Sequence, residues 1–246
     1  MEWSEDAILL SVRPHGEGAA VLSLMTREHG RHHGLAKGAT SRSAGGRYQP
    51  GNRLQVTWRG RLSEQLGQFT CELVECPMAS LLDDALRLAG LTAALAVTET
   101  ALPEREAHPA AHDGLEALIR RLVAGDAAWL AHYARWELAL LAELGYGLDL
   151  GNCAVTGERD GLAFVSPRTG RAVSAEAAGL WRERLLPLPG FLLEPEASTP
   201  DSGEIADALA LTGFFLERHV FSIRAGRPGA PAARGRLLQR LSRRRA

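Results

Sequence analysis

Several features are scarce in this 246-residue chain, and each scarcity removes a class of protein. Its three cysteines, Cys71, Cys76 and Cys153, form no even, regularly spaced set. No disulfide framework is therefore expected, and a reduced cytoplasmic compartment fits best. Long apolar runs are missing too: the uncharged stretch from Leu88 to Thr98 is too short to cross a bilayer, so no membrane partner is expected. The opening Met1-Glu2-Trp3-Ser4-Glu5-Asp6 is acidic where a secretory leader is basic. Net charge is nearly absent, with 28 Lys and Arg against 29 Asp and Glu.

Catalytic signatures are equally thin. No glycine-rich loop ends in Gly-Lys-Ser/Thr, and no Gly-x-Ser-x-Gly elbow occurs. Gly145-Tyr146-Gly147 opens like a dinucleotide fingerprint, but the third glycine is missing and the motif follows a helix, so it reads as a helix end. His29, His32 and His33 have spacings that metal ligands use, yet no nearby Cys or acid pair completes a site. Asp83 and Asp84 are adjacent, so they point to different helix faces and serve the start of a helix, not a carboxylate pair. Catalytic residues, metal, cofactor and small-molecule substrate are all expected to be none.

The near-neutral total conceals a segregation of charge. Residues 27–61 hold eight Lys and Arg against Glu28 alone, and residues 218–246 hold nine Arg and no acid. The stretch 62–217 compensates with ten basic and 24 acidic residues. Such asymmetry points to nucleic-acid or membrane contact, with a merely solvated basic face as the alternative. Within the first basic stretch, Arg31, Lys37, Arg42, Arg47, Arg53, Arg59 and Arg61 are interleaved with Tyr48 and Trp58. Single-strand binding needs both types, cations for phosphates and aromatic faces for bases. Two readings of Trp58 stand side by side, a stacking face or a core residue. If about five phosphates were neutralised, affinity would fall roughly 100-fold between 50 and 200 mM salt.

Residues 1–76 read as short strands with close turns, a small barrel or sandwich. The runs 7–13, 21–26, 54–58 and 68–76 carry the apolar pattern, while 34–51 reads as a glycine-rich loop. After Pro77 the period becomes helical. Ser80 is placed to cap a helix through Leu88, Leu91 and Leu95. Leu115, Leu118, Ile119, Leu122 and Val123 form a second stripe, and Asp126 is placed to cap a third helix. A late helix carries Ile205 to Val220. Between them, 149–200 is an irregular insert with a β element expected at 163–165. The basic tail 226–246 is expected to be mobile in isolation, ending in a short helix.

Particular motifs then resemble one family along nearly the whole chain. Gly16-Glu17-Gly18, Leu24-Met25-Thr26-Arg27-Glu28-His29-Gly30 and Ala36-Lys37-Gly38-Ala39 are similar to the opening of RecO recombination mediators. Tyr48-Gln49-Pro50-Gly51 and Trp58-Arg59-Gly60-Arg61 fit the later barrel. Cys153-Ala154-Val155-Thr156-Gly157 and Phe164-Val165-Ser166-Pro167-Arg168-Thr169-Gly170 fit the central insert.

The resemblance implies an α+β chain: a five-stranded OB-fold barrel for nucleic acid at 1–77, a helical domain at 78–225 enclosing the insert, and the tail. It implies binding of single- and double-stranded DNA, strand annealing, contact with the C-terminal tail of single-stranded-DNA-binding protein, and RecA loading with RecR, in the cytoplasm at the bacterial nucleoid. An RNA-binding OB protein is the alternative from the residues alone. Many family members hold zinc in the insert through two Cys-x-x-Cys pairs. Here the positions are Cys153 with Thr156 and Ser174 with Ala177, so a zinc-free insert packed around Phe164 is expected.

Overall fold

A computed structural model describes residues 1–41, 44, 46–62, 64–194, 199–222 and 229–245. Five strands, β1 (Glu2–His15), β2 (Ala19–Thr26), β3 (Arg31–Lys37), β4 (Arg53–Arg59) and β5 (Gln68–Glu75), close into a barrel in the order β1-β2-β3-β5-β4. Neighbours are antiparallel except β3 and β5, which run parallel. This is an OB fold. Closure depends on β1: residues 2–8 pair with β4 and residues 7–15 with β2, with a register shift between Leu9 and Ser11.

Alternation sets the core. Leu22 and Leu24, Leu54 and Val56, and Phe69 and Cys71 face inward from their strands. Trp58 joins them at 2% exposure, its indole N–H donating to the Leu66 carbonyl at 3.2 Å. Of the two readings of Trp58, the core is therefore the one observed, and its ring is closed to a stacking base.

β3 occupies sequence that reads as the approach to, and first part of, a glycine-rich loop. Its inward positions are His32, Gly34 and Ala36, so the usual aliphatic alternation is missing. The cause is steric: a Cβ on Gly34 would lie 2.4 Å from Phe69 Cδ2, in space the ring already fills.

One compact unit comprises Met1–Asp126 and Pro231–Arg240. It contains the barrel with α1 (Ala85–Ala101) and α2 (Pro109–Val123). Ser80 is not the cap of α1; it lies in the 3-10 turn Pro77–Leu81. The cap is Asp84, whose Oδ1 accepts from the backbone N–H of Leu86 and Arg87 at 3.0 Å each. Glu99 ties α1 to β1, accepting from Ser11 Oγ at 2.6 Å and Arg13 at 3.1 Å. The basic C-terminal stretch carries α6 (Ala232–Arg245), where Ala233 and Leu237 at i, i+4 are buried while Arg236 and Arg240 are exposed.

The second unit comprises Ala127–Ala230 and Leu241–Ala246. In it α3 (Trp129–Glu143) packs on α5 (Ser202–Leu216). The N-cap position of α3 is Ala128, two residues after the expected Asp126, whose side chain accepts from Arg121 at 3.0 Å. Asp201 and Glu204 form a capping box on α5. The insert folds as β6 (Leu162–Val165), β7 (Ala172–Ser174), α4 (Ala175–Ala178) and β8 (Leu186–Pro187), with sheet order β7-β6-β8. Among the described residues no helix is long and apolar enough to cross a membrane.

Candidate nucleic-acid interface

The seven cations singled out in the sequence fall into distinct environments. Arg42 lies outside the described residues. Arg31 turns its guanidinium back onto the protein, Nε donating to the Leu102 carbonyl at 3.0 Å, and burial lowers its pKa against the pull of Glu104 and Glu99. Arg53 is held by three carboxylates: Asp6 at 2.9 Å, Glu116 at 3.4 Å and Glu75 at 3.5 Å. Its hydrogen bond to Asp6 raises its pKa. Arg59 donates to Glu2 at 2.8 Å and is raised by the same kind of contact. Each such pair adds little stability at this exposure, but it occupies the charge. A phosphate reaching Arg53 has to displace three carboxylates.

Lys37, Arg47 and Arg61 differ: all three are exposed, with no carboxylate partner among the described residues. Gln68, first in β5, is the register partner of both Leu35 and Arg59. Leu35 and Arg59 therefore flank Gln68 from the strands on either side, about 10 Å apart at ordinary strand spacing, with Lys37 two residues further along β3 and Arg61 two residues beyond the end of β4. Because Ala36 and Trp58 fill the core, alternation turns Lys37 and Arg59 outward. Arg47 sits on the loop after β3. Asn52 pins that loop, Nδ2 donating to the carbonyls of Gly46 and Arg47 at 2.9 Å each. The Arg47 guanidinium lies 5.8 Å from the centre of the Tyr48 ring, and Tyr48 packs half-buried against the barrel core.

Elsewhere in this unit the charge is reversed. Glu5, Asp6, Asp113 and Glu116 line a cleft of about 410 Å³ with Arg27, Arg53 and His112. Hydrogen bonds from His112 and Arg27 hold the Asp113 carboxyl below the usual range. This cleft disfavours a polyanion and absorbs Arg27 and Arg53, which a linear count credits to the basic stretch.

The three histidines have different polar partners, although the His29 and His32 rings both pack on Trp3. His29 Nδ1 meets Glu5 at 2.8 Å, His33 Nδ1 meets Glu104 at 3.1 Å, and the His32 ring packs against Trp3, Trp58 and Phe69. No cluster of three or more His, Cys, Asp or Glu placed to hold a metal occurs among the described residues. Burial pushes the Cys71 thiol up to about 12, which makes it a poor nucleophile. Arg120 and Arg121, beside Leu118 and Leu122, suit an acidic peptide by sequence. In the structure both leucines are buried, and the two arginines pair with Glu116 and Asp126.

The four insert positions that correspond to a zinc site do converge. The Ser174 backbone N–H donates to Cys153 Sγ at 3.3 Å, the Cys153 thiol lies 3.6 Å from Ser174 Oγ, and the Ala177 N–H donates to Ser174 Oγ at 3.3 Å. Burial pushes the Cys153 thiol up, but hydrogen bonds from Thr156 and Ser174 prevail and bring it to about 6. One thiolate with two hydroxyl-bearing neighbours and an alanine does not fit a structural zinc site. Cys153, Phe164, Val173 and Ala178 pack into a small apolar cluster at this place.

Comparison with known proteins gives a consistent answer. Residues 1–77 match the family model "Recombination protein O N terminal" and residues 82–227 match "Recombination protein O C terminal". The chain is 50% identical to the DNA repair protein RecO of Rhodospirillum centenum over 242 residues, covering 98% of this chain and 94% of that one. It is 49% identical to RecO of Granulibacter bethesdensis, covering 94% and 92%, and 48% identical to RecO of Paracoccus denitrificans, covering 98% and 97%.

Proposed function

The chain belongs to the RecO family of DNA repair proteins, and from that premise we propose that it is a recombination mediator that acts by holding DNA, not by transforming it. An OB barrel serves many ligands, so the reading rests on charge more than on fold. The observation that carries it is the set of exposed cations Lys37, Arg47 and Arg61, without carboxylate partners among the described residues, on a closed barrel. In this reading they make the first phosphate contacts. Arg42, which lies outside the described residues, is proposed as a further phosphate contact, Arg59 joins by exchanging Glu2 for phosphate, and Arg31 and Arg53 fix the surface beneath. Single- and double-stranded DNA are both ligands. Two strands held on a positive surface repel each other less, so annealing needs no covalent step. The protein works with RecR to load RecA on strands coated by single-stranded-DNA-binding protein, whose C-terminal tail it contacts, in the cytoplasm.

The test is competition between single-stranded DNA and RNA of one sequence, together with annealing of complementary DNA strands and a magnesium-supplemented cleavage control. DNA bound at least as tightly as RNA, faster annealing and intact strands are expected. A preference for RNA without annealing overturns the reading in favour of an RNA-binding OB protein, and a cut strand overturns it in favour of an enzyme.

A further inference from the structure

The insert of the second unit carries an unusual surface. Gly179–Arg184 is a 3-10 helix with no buried residue. Leu180 is fully exposed and Trp181 is 61% exposed; no other described aromatic exceeds 38%. An indole left in water forgoes the burial that drives folding, so its position calls for another cause.

Its neighbours supply one. Three residues per turn align Trp181 with Arg184 and Leu180 with Glu183, on different edges of the helix. The Arg184 guanidinium lies 5.2 Å from the Trp181 ring centre, and that of Arg182 lies 5.4 Å from the Phe164 ring centre. Neither arginine has a carboxylate partner among the described residues. The indole thus stands beside the Arg184 guanidinium, while Arg182, next in sequence, projects from another edge over Phe164; neither charge is met by a carboxylate among the described residues. One ring and one leucine fall well short of the roughly 800 Å² per partner that a stable protein interface buries. They match one stacked base between phosphates.

We propose that Trp181 is a base-stacking platform in a second single-stranded nucleic-acid contact, with Arg182 and Arg184 meeting the flanking phosphates. It rests on the nucleic-acid reading given above for the barrel.

The experiment titrates the full chain, Trp181→Ala and Trp181→Phe against oligo(dT) and against an abasic strand of equal length at one salt concentration. Trp181→Ala is expected to bind oligo(dT) about tenfold more weakly, and Trp181→Phe to stay within about threefold of the parent chain. On the abasic strand all three bind alike. Equal melting temperatures confirm that the exposed substitutions leave the fold intact. If Trp181→Ala matches the parent on both strands, the platform is overturned while the barrel reading stands; a protein-docking role for Leu180 and Trp181 would give that result. An equal loss on both strands overturns stacking in favour of a general effect. If the parent chain binds neither strand, the barrel reading fails first and the platform with it.

Discussion

Removing Lys37, Arg47 and Arg61, barrel cations with no carboxylate partner among the described residues, should change how binding responds to salt, and removing an ion-paired one should not. Each phosphate neutralised on a single strand contributes about −0.7 to the slope of log affinity against log salt. Lys37, Arg47 and Arg61 together therefore account for about −2. The variant Lys37→Ala/Arg47→Ala/Arg61→Ala should show a slope shallower than the parent by that amount. Its disadvantage should shrink about twentyfold between 50 and 200 mM salt. Arg53→Ala is the control. Its guanidinium already faces Asp6, Glu75 and Glu116, so the slope should stay unchanged while stability drops by up to about 1 kcal/mol. Fluorescence anisotropy of labelled oligo(dT) across a salt series, with urea unfolding of each variant, measures both. A parental slope in the triple variant, or a flattening in Arg53→Ala as large as in the triple, refutes the sorting of cations by their partners.

Two further outcomes follow from buried polar groups. In the second unit Thr212 Oγ1 donates to Glu137 Oε2 at 2.6 Å, with both side chains fully buried. Thr212→Val removes that donor from the carboxylate and should cost about 2 kcal/mol in urea unfolding, with Thr212→Ser losing less; a cost below about 0.5 kcal/mol in the valine variant would contradict the pairing. In the barrel, burial lowers the His32 pKa from its ordinary value. The unfolded chain takes up that proton near pH 6.5 while the folded chain resists it, so stability must fall as the pH drops below 6.5. The melting temperature should decline more steeply from pH 7 to pH 5.5 in the parent than in His32→Phe. Parallel declines would show that His32 is not the group responsible.

How far the fold can be read from sequence depends on what fills each interior position. β1, β2, β4 and β5 announce themselves through inward aliphatic or aromatic side chains, but β3 does not. Its interior side is occupied by Phe69 of the neighbouring strand β5, which leaves Gly34 no room for a side chain. The α2 stripe is legible for Leu115, Leu118, Ile119 and Leu122, all buried, whereas Val123 at its edge is 39% exposed. Helix starts err by a few residues for a simple reason. Ser80 and Asp84 are both competent caps, and the 3-10 turn opening on Pro77 decides between them. Trp58 shows the limit for aromatics: an alternating strand reveals that one face is apolar, not which face the barrel encloses.

Charge is the harder case, because a sequence counts cations but not the carboxylates that meet them. Asp6, one of the three partners of Arg53, and Glu2, the partner of Arg59, lie 47 and 57 residues away on β1, and the pairing of β1 with β4 brings them together. The acidic opening of the chain thereby acquires a role. Glu2 meets Arg59 and Asp6 meets Arg53. Glu5 accepts from the backbone N–H groups of Arg27 and Glu28 at 2.7 and 2.8 Å and contacts His29 at 2.8 Å. All three early acids are thus spent on the barrel's own basic stretch as β1 closes the sheet. What survives that neutralisation, and not the raw excess of arginine, is the charge available to DNA. For that reason Lys37, Arg47 and Arg61, unremarkable among seven candidates in the sequence, separate from the others once the strands are paired.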